Sequence, residues 1–266
     1  MKGARLLLVN SQLIKKMEAA ESYTLQQRLQ SYMEQPGNPM GVEIGAFEGA
    51  KAFVVKKIPG PSLNTVRLLT PSHLPLLPDI IDFYKQHKST PTFDISPTTN
   101  IEPLLRGLSE YGFYQAGFHV CLFKPINPDT SISHNELSTQ LNGNDSSYFG
   151  ELYAGAFAMP SSFSETIGLN NEQLMDDPNW FYYHRDDSFG VLHIDGDVAN
   201  LTGAGTLPKK RGKGHHQNLI HTRILKSAQA SCSLAIAQAS FQSQSMSNLM
   251  KSGFLIGYMR AIWRKR

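Results

Sequence analysis

The stretch that most constrains this chain runs from Thr206 to Leu225, TLPKKRGKGHHQNLIHTRIL. The run before it, Val198 to Leu207, is small and apolar and reads as a strand. Pro208 removes a backbone donor and ends that strand. Gly212 and Gly214 permit a tight turn and a close approach of backbone to a ligand. Leu219, Ile220, Ile224 and Leu225 then recur at helical spacing. Strand, glycine loop and helix start together leave backbone N–H groups unpaired at the positive end of a helix dipole, where an anion binds well. Lys209, Lys210, Arg211 and Lys213 add four cations within five residues. A phosphate or pyrophosphate is the natural ligand.

The spacing is neither that of a Walker A loop nor that of the Rossmann fingerprint, which fails at Gln217. Taken alone, the loop also reads as a solvated basic turn before an ordinary helix. The longer string decides more. Arg211-Gly-Lys-Gly214-His-His216, directly after strand and proline, resembles the R/Q-x-x-G-x-G/A loop of the GCN5-related N-acetyltransferases. Ser245-Met-Ser-Asn-Leu-Met-Lys-Ser-Gly-Phe254, followed by an apolar run to Trp263, resembles that family's asparagine, final helix, Gly-Phe pair and last strand. The likeness covers about the last seventy residues. It implies acetyl-CoA as cosubstrate. Ala204, Gly205 and Thr206 would line the pantetheine through backbone hydrogen bonds. Arg211, Gly212, Lys213, Gly214, His215 and His216 would hold the pyrophosphate, and Asn248 would contact the cofactor beyond it. From residue type alone, Asn248 reads as a helix cap almost equally well. Two positions depart from the family pattern. His216 stands where Gly or Ala is usual, and Leu249 stands where a proton-donating tyrosine is usual.

A chain of 266 residues is enough for one large or two ordinary domains, each able to bury a core. With 41% hydrophobic and 18% charged residues it is globular in composition. A net charge of +3 is too small for a dedicated nucleic-acid binder, so no nucleic-acid partner is expected. Cys121 and Cys232 lie in apolar runs and read as buried thiols, with no metal site expected. Leu6 to Val9 is too short for a signal-peptide core, and no run approaches a membrane span. A cytoplasmic protein without a membrane partner is the expectation. The oligomeric state is not legible.

In order, residues 11–34 read as a helix. Val42 to Ile44, Ala52 to Val55 and Thr65 to Leu69 read as strands. Leu77 to His87 reads as a helix, Thr92 to Ile95 as a strand, Ile101 to Tyr111 as a helix and Phe118 to Phe123 as a strand. Residues 126–147 are polar and turn-rich and read as a linker. Tyr148 to Ala158 reads as a helix, and Ser161 to Asp177 as helix or loop. Phe181 to His184 and Phe189 to Ile194 are strand-like, Val198 to Leu207 one strand, and Gln217 to Ala228 a helix. Ser233 to Ala239 and Leu255 to Trp263 close the pattern as strands, with Asn248 in a helix between them. Leu108-Ser-Glu-Tyr-Gly-Phe113 and Leu249-Met-Lys-Ser-Gly-Phe254 repeat at an offset of 141 residues. Duplication is therefore expected. The expected fold is mixed α/β, with two tandem acyl-CoA N-acyltransferase-like domains, each a twisted mixed sheet flanked by helices. Residues 1–125 form a degenerate copy, because Arg67-Leu-Leu-Thr-Pro71 replaces the glycine loop there. Residues 148–266 form the copy with the acetyl-CoA site.

The resemblance implies transfer of an acetyl group from acetyl-CoA to the amine of a small molecule, with the acceptor pocket built from the Tyr148 to Phe189 region. No catalytic residue is assigned. Asn200 and Thr202 occupy the strand where many family members carry a basic glutamate. His193 is a candidate base, though a histidine in an apolar strand is more often a hydrogen-bonded core residue. Asp197 reads as a turn residue, and Tyr258 as core. His215 and His216 sit where a helix dipole disfavours their charged forms. Two alternatives stand beside the transferase: a non-catalytic acyl-CoA-binding regulatory protein, and a nucleotide- or phosphate-binding protein.

Overall fold

A computed structural model describes residues 9–58, 60–127 and 138–266. The Leu6 to Leu8 run and residues 128–137 of the expected linker lie outside the described residues. Fifteen-residue and longer helices here are amphipathic or polar. Among the described residues no helix is long and apolar enough to cross a membrane.

The first half opens with α1 (Ser11–Glu34), capped by Asn10, whose side chain accepts the Leu13 N–H at 2.9 Å. Strands β1 (Val42–Phe47), β2 (Ala50–Val55) and β3 (Thr65–Arg67) follow. Helix α2 (Leu77–Gln86) leads to β4 (Thr92–Ile95), and α3 (Glu102–Glu110) leads to β5 (Phe113–Pro125). Past the described gap come β6 (Thr139–Leu141), α4 (Ser146–Ala156) and α5 (Ser164–Asp176). Thr139 to Leu141, read from sequence as linker, pairs antiparallel with β7 (Trp180–His184). Strands β8 (Ser188–Asp195), β9 (Val198–Leu201) and β10 (Ala204–Thr206) precede α6 (His215–Gln229). Strand β11 (Leu234–Ser240), helix α7 (Gln244–Lys251) and β12 (Leu255–Lys265) end the chain.

The chain divides into two compact units, Met1–Cys121 with Gly257–Arg266, and Leu122–Ile256. Sequence order groups the last ten residues with the second half. They pack in the first unit because β12 pairs antiparallel with β4, Ala261 opposite Ile95 and Trp263 opposite Phe93. The first unit is a mixed sheet, with β1, β2 and β3 antiparallel and β3 parallel to β4. Its core joins Val54, Val66, Leu77, Ile80, Tyr84, Phe93, Leu108 and Phe113. The second unit is also mixed: β6, β7, β8 and β9 pair antiparallel in turn, and β9 pairs parallel with β11.

The repeated Gly-Phe pairs perform one local task. Gly112 (φ 81°) and Gly253 (φ 86°) take the left-handed conformation that stops α3 and α7. Phe113 and Phe254 then bury their rings, each at most 3% exposed.

Inside the first unit lies an ionic cluster that hydropathy patterning does not reveal. Arg260 of β12 donates to Glu18 (2.6 Å) and to Glu21 of α1. Arg67 of β3 bridges Glu21 (2.5 Å) and Asp94 of β4 (3.1 Å). Burial would raise the Glu21 carboxyl, but Arg260 and Arg67 outweigh it and hold the group at about 2. Ligand atoms of Glu18, Glu21 and Cys121 cluster here, around the Arg260 guanidinium that bonds both glutamates.

Candidate functional site

The expected strand Val198 to Leu207 breaks in two. Against β8, Asn200 faces His193, while Ala204 faces Gly190. Three residues on one strand thus span the same gap as two on the other. This is a β-bulge at Leu201 to Gly203, which bends the strand and redirects its groups. Beyond it the sheet opens. The parallel pairing of β9 with β11 ends at Leu201 opposite Ala237, although β11 continues to Ser240. Among the described residues β10 pairs with β8 alone. The Val191 N–H donates to Gly203 O at 2.8 Å and the Leu207 N–H to Asp187 O at 2.9 Å. Antiparallel alternation therefore turns the backbone groups of Ala204 and Thr206 away from β8, toward the opening. Gly205 is required on the other face: a Cβ there would lie 2.7 Å from Phe189 and 2.8 Å from the Ala156 methyl.

The opened strand delivers the chain to the glycine loop. Gly212 (φ 79°) and Gly214 (φ 83°) are both left-handed, and a Cβ on either would meet nothing within 4 Å. Gly214 is the N-cap of α6 and has no side chain with which to cap it. The first intrahelical bond is Asn218 N–H to Gly214 O, 3.1 Å. The N–H groups of His215, His216 and Gln217 therefore have no partner within the helix.

The basic residues divide their roles. Arg211 braces the loop, donating to Thr206 O and to Ala156 O, both at 3.1 Å. Lys210 pairs with Asp187 at 3.0 Å and His215 with Asp186 at 3.1 Å. Among the described residues no carboxylate pairs with Lys209 or Lys213. Asn248 of α7 donates its amide to His216 Nδ1 at 2.9 Å. The two positions named separately from sequence thus form one contact. Asn248 is not the cap of α7, since Ser243 accepts the Met246 N–H in that role. Burial, and then the charge of Arg223, push His216 down to about 4.

Arg223 escaped the sequence reading. It is fully buried and donates to Leu219 O (3.0 Å) and Val191 O (3.1 Å). Among the described residues it has no carboxylate partner, and burial lowers it to about 9. One signal was available, the glycine at 190 in a strand interior. A Cβ on Gly190 would lie 3.0 Å from the Arg223 guanidinium.

The chain as a whole superposes on solved structures. A GCN5-related N-acetyltransferase from Kribbella flavida superposes with TM-score 0.61 at 12% identity, covering 94% of this chain and 95% of that one. The fold is that of the GCN5-related N-acetyltransferases. A second, from Sphaerobacter thermophilus, gives 0.56 at 14% identity, covering 83% and 82%. A tandem protein of this fold from the clavulanic acid biosynthesis pathway gives 0.53 at 12% identity, covering 92% and 95%. No family model and no curated protein matches the sequence.

Within this acetyltransferase fold, the residues weighed for catalysis fall as follows. His193 is 2% exposed and packs on Trp180, ring centroids 4.5 Å apart. Asp197 accepts from Ser233 through its carboxylate and its carbonyl, as a turn residue does. Tyr258 lies in the first unit and donates its hydroxyl to Glu18. Leu249 is buried, 3% exposed. Tyr148 of α4 stands edge-on to His184 of β7, with its hydroxyl 3.5 Å from Nδ1. The rings of Phe149, Tyr153, Phe157 and Phe189 pack together beside Gly205.

Proposed function

We propose that the second unit binds acyl-CoA and transfers its acyl group to the amine of a small molecule, with acetyl-CoA as cosubstrate. One observation carries the reading: the bulge at Leu201 to Gly203 opens the sheet onto backbone groups that lead to the uncapped N-terminus of α6. The groups present fit the cosubstrate. A pantetheine arm carries amides, and the backbone of Ala204 and the N–H of Thr206, whose carbonyl Arg211 holds, offer strand-edge partners for them. A pyrophosphate needs converging N–H donors and clear space, which His215 to Gln217, Gly212 and Gly214 supply. Lys209 and Lys213 add charge that is not neutralised within the described chain. The cosubstrate would bring the thioester; the chain would position it and shield it. The aromatic cluster around Phe189 and the Tyr148–His184 pair would face the acceptor.

The first unit would not bind the same ligand. At its corresponding turn the Thr70 N–H donates to His73 Nδ1 at 3.0 Å, so the chain caps itself. Pro71 and Pro75 remove further donors.

The test is calorimetric titration of the full chain with CoA, followed by turnover of acetyl-CoA against a panel of primary amines. CoA binding with thiol release that depends on an amine supports the transferase. Absence of CoA binding would refute the reading. CoA binding without turnover would select the second one, a regulatory acyl-CoA-binding protein. Leu249 favours that alternative, because it stands where a proton donor is usual and Tyr258 is held by Glu18.

A further inference from the structure

The first unit contains a cavity of about 810 Å³, within the size range of small-ligand pockets. It lies between the end of β2, the loop that follows, the last turn of α2, and the end of β12. Its charged lining has one sign. Lys56, Lys88, Arg264, Lys265 and His87 are among its lining residues, and no carboxylate is among its described lining residues. Glu43 stands behind, 3.1 Å from Lys56 and 3.8 Å from His87 Nδ1. Among the described residues Lys88, Arg264 and Lys265 have no carboxylate partner. Lys265 lies 5.5 Å over the Phe113 ring.

The walls are held in place. Asn64, 4% exposed, uses its whole amide on them. It accepts from the Val55 N–H (2.9 Å) and the Ser89 hydroxyl (3.3 Å), and donates to Ile58 O (2.8 Å) and Gly60 O (2.9 Å). One amide thus ties β2, its loop and the tail of α2 together. Lys88, with φ 54°, ends α2, and its charge there also answers the helix dipole. Arg264 and Lys265 come from a strand and answer no such field. With Lys56 already paired to Glu43 and the Lys265 ammonium over Phe113, Lys88 and Arg264 remain on the lining without a carboxylate partner among the described residues, more than a monoanion needs, and an arginine fork suits phosphate oxygens.

We propose that this cavity binds a small anion carrying several phosphates. The probe is inorganic tripolyphosphate, titrated calorimetrically into the full chain at moderate salt. Because the α6 loop also attracts phosphates, the titration is run in wild type and in Gly214→Asp. One tripolyphosphate site should persist in Gly214→Asp. In that background Lys88→Glu and Arg264→Glu should each weaken it at least about tenfold, a conservative allowance for reversing a partly screened charge. Both side chains lie on the surface, so an unchanged melting temperature shows that the fold is intact; Arg264→Ala with Lys265→Ala serves if either reversal unfolds the chain. No binding in Gly214→Asp, or binding indifferent to these substitutions, would overturn the proposal. So would a single-stranded oligonucleotide of equal charge that binds more tightly with the same dependence, which would make the cavity part of a nucleic-acid surface.

Discussion

The Asn248 amide donates to His216 Nδ1 at 2.9 Å and so ties α7 to the first turn of α6. An amide N–H can only donate, so Nδ1 carries a lone pair and His216 is neutral. Burial, helped by the Arg223 charge, has the same effect and holds the group at about 4. The turn that would receive an anion is thus braced by a neutral histidine.

That bond predicts a pH dependence. Between pH 6.5 and about 4 the unfolded chain takes a proton at residue 216 that the folded chain refuses. The stability tied to this group is complete above pH 6.5 and is lost as pH falls through about 4. Urea midpoints measured from pH 7 to pH 5 should decline in wild type and decline less in His216→Gln. An identical slope in both proteins would show that another group dominates.

Gly214→Asp should reduce CoA affinity about a thousandfold. A carboxylate roughly 4 Å from a phosphate meets repulsion of about 4 kcal/mol at a near-surface dielectric of about 20. The φ of 83° adds a strain that the sequence does not reveal. The apo protein should lose about 1–2 kcal/mol, since a non-glycine residue is forced left-handed. Gly214→Ala carries the strain without the charge and separates the two effects. Unchanged CoA affinity in Gly214→Asp would leave the loop an ordinary basic turn.

Arg260→Met should destabilise the first unit by about 3–5 kcal/mol at pH 7, because it strands buried carboxylates. Glu18, Glu21 and Asp94 would face Arg67 alone. In wild type, Glu21 at about 2 contributes stability above pH 4.5 that is lost as pH falls toward 2. Without Arg260 that carboxyl protonates more readily, so the difference between variant and wild type should shrink from pH 7 to pH 5. A gap that stays constant with pH would argue for lost packing rather than stranded charge.

Gly150→Ala should loosen the α4–α5 contact. An added Cβ would overlap the Ser164 carbonyl oxygen and lie 2.9 Å from Gly168 N, both backbone atoms. Overpacking of this kind costs roughly 1–3 kcal/mol, partly offset by alanine's better helix propensity. Guanidinium unfolding decides it, and a more stable variant would show that the two helices can separate freely.

The glycine loop, the helix after it and the two Gly-Phe stops were legible in the sequence, because each depends on residues next to one another. Left-handed turns at Gly112, Gly212, Gly214 and Gly253 favour glycine whatever surrounds them, and Leu219, Ile220 and Ile224 show their helical face by spacing alone. Contacts between distant residues were decided only by the tertiary structure. Val198 to Leu207 reads as one strand, and its bulge exists because β8 offers two residues where it offers three. Nothing local marks Glu18, Glu21 and Arg260 in the sequence, and pairing between residues about 240 positions apart buries them together. Arg223 carries no local signal of its own, and its burial depends on the room that Gly190 leaves in β8. Residues 257–266 follow the second half in sequence, yet backbone pairing with β4 places them in the first unit. Local conformational preference is written residue by residue; which strand pairs with which, and which charge meets which, follows only from the folded arrangement.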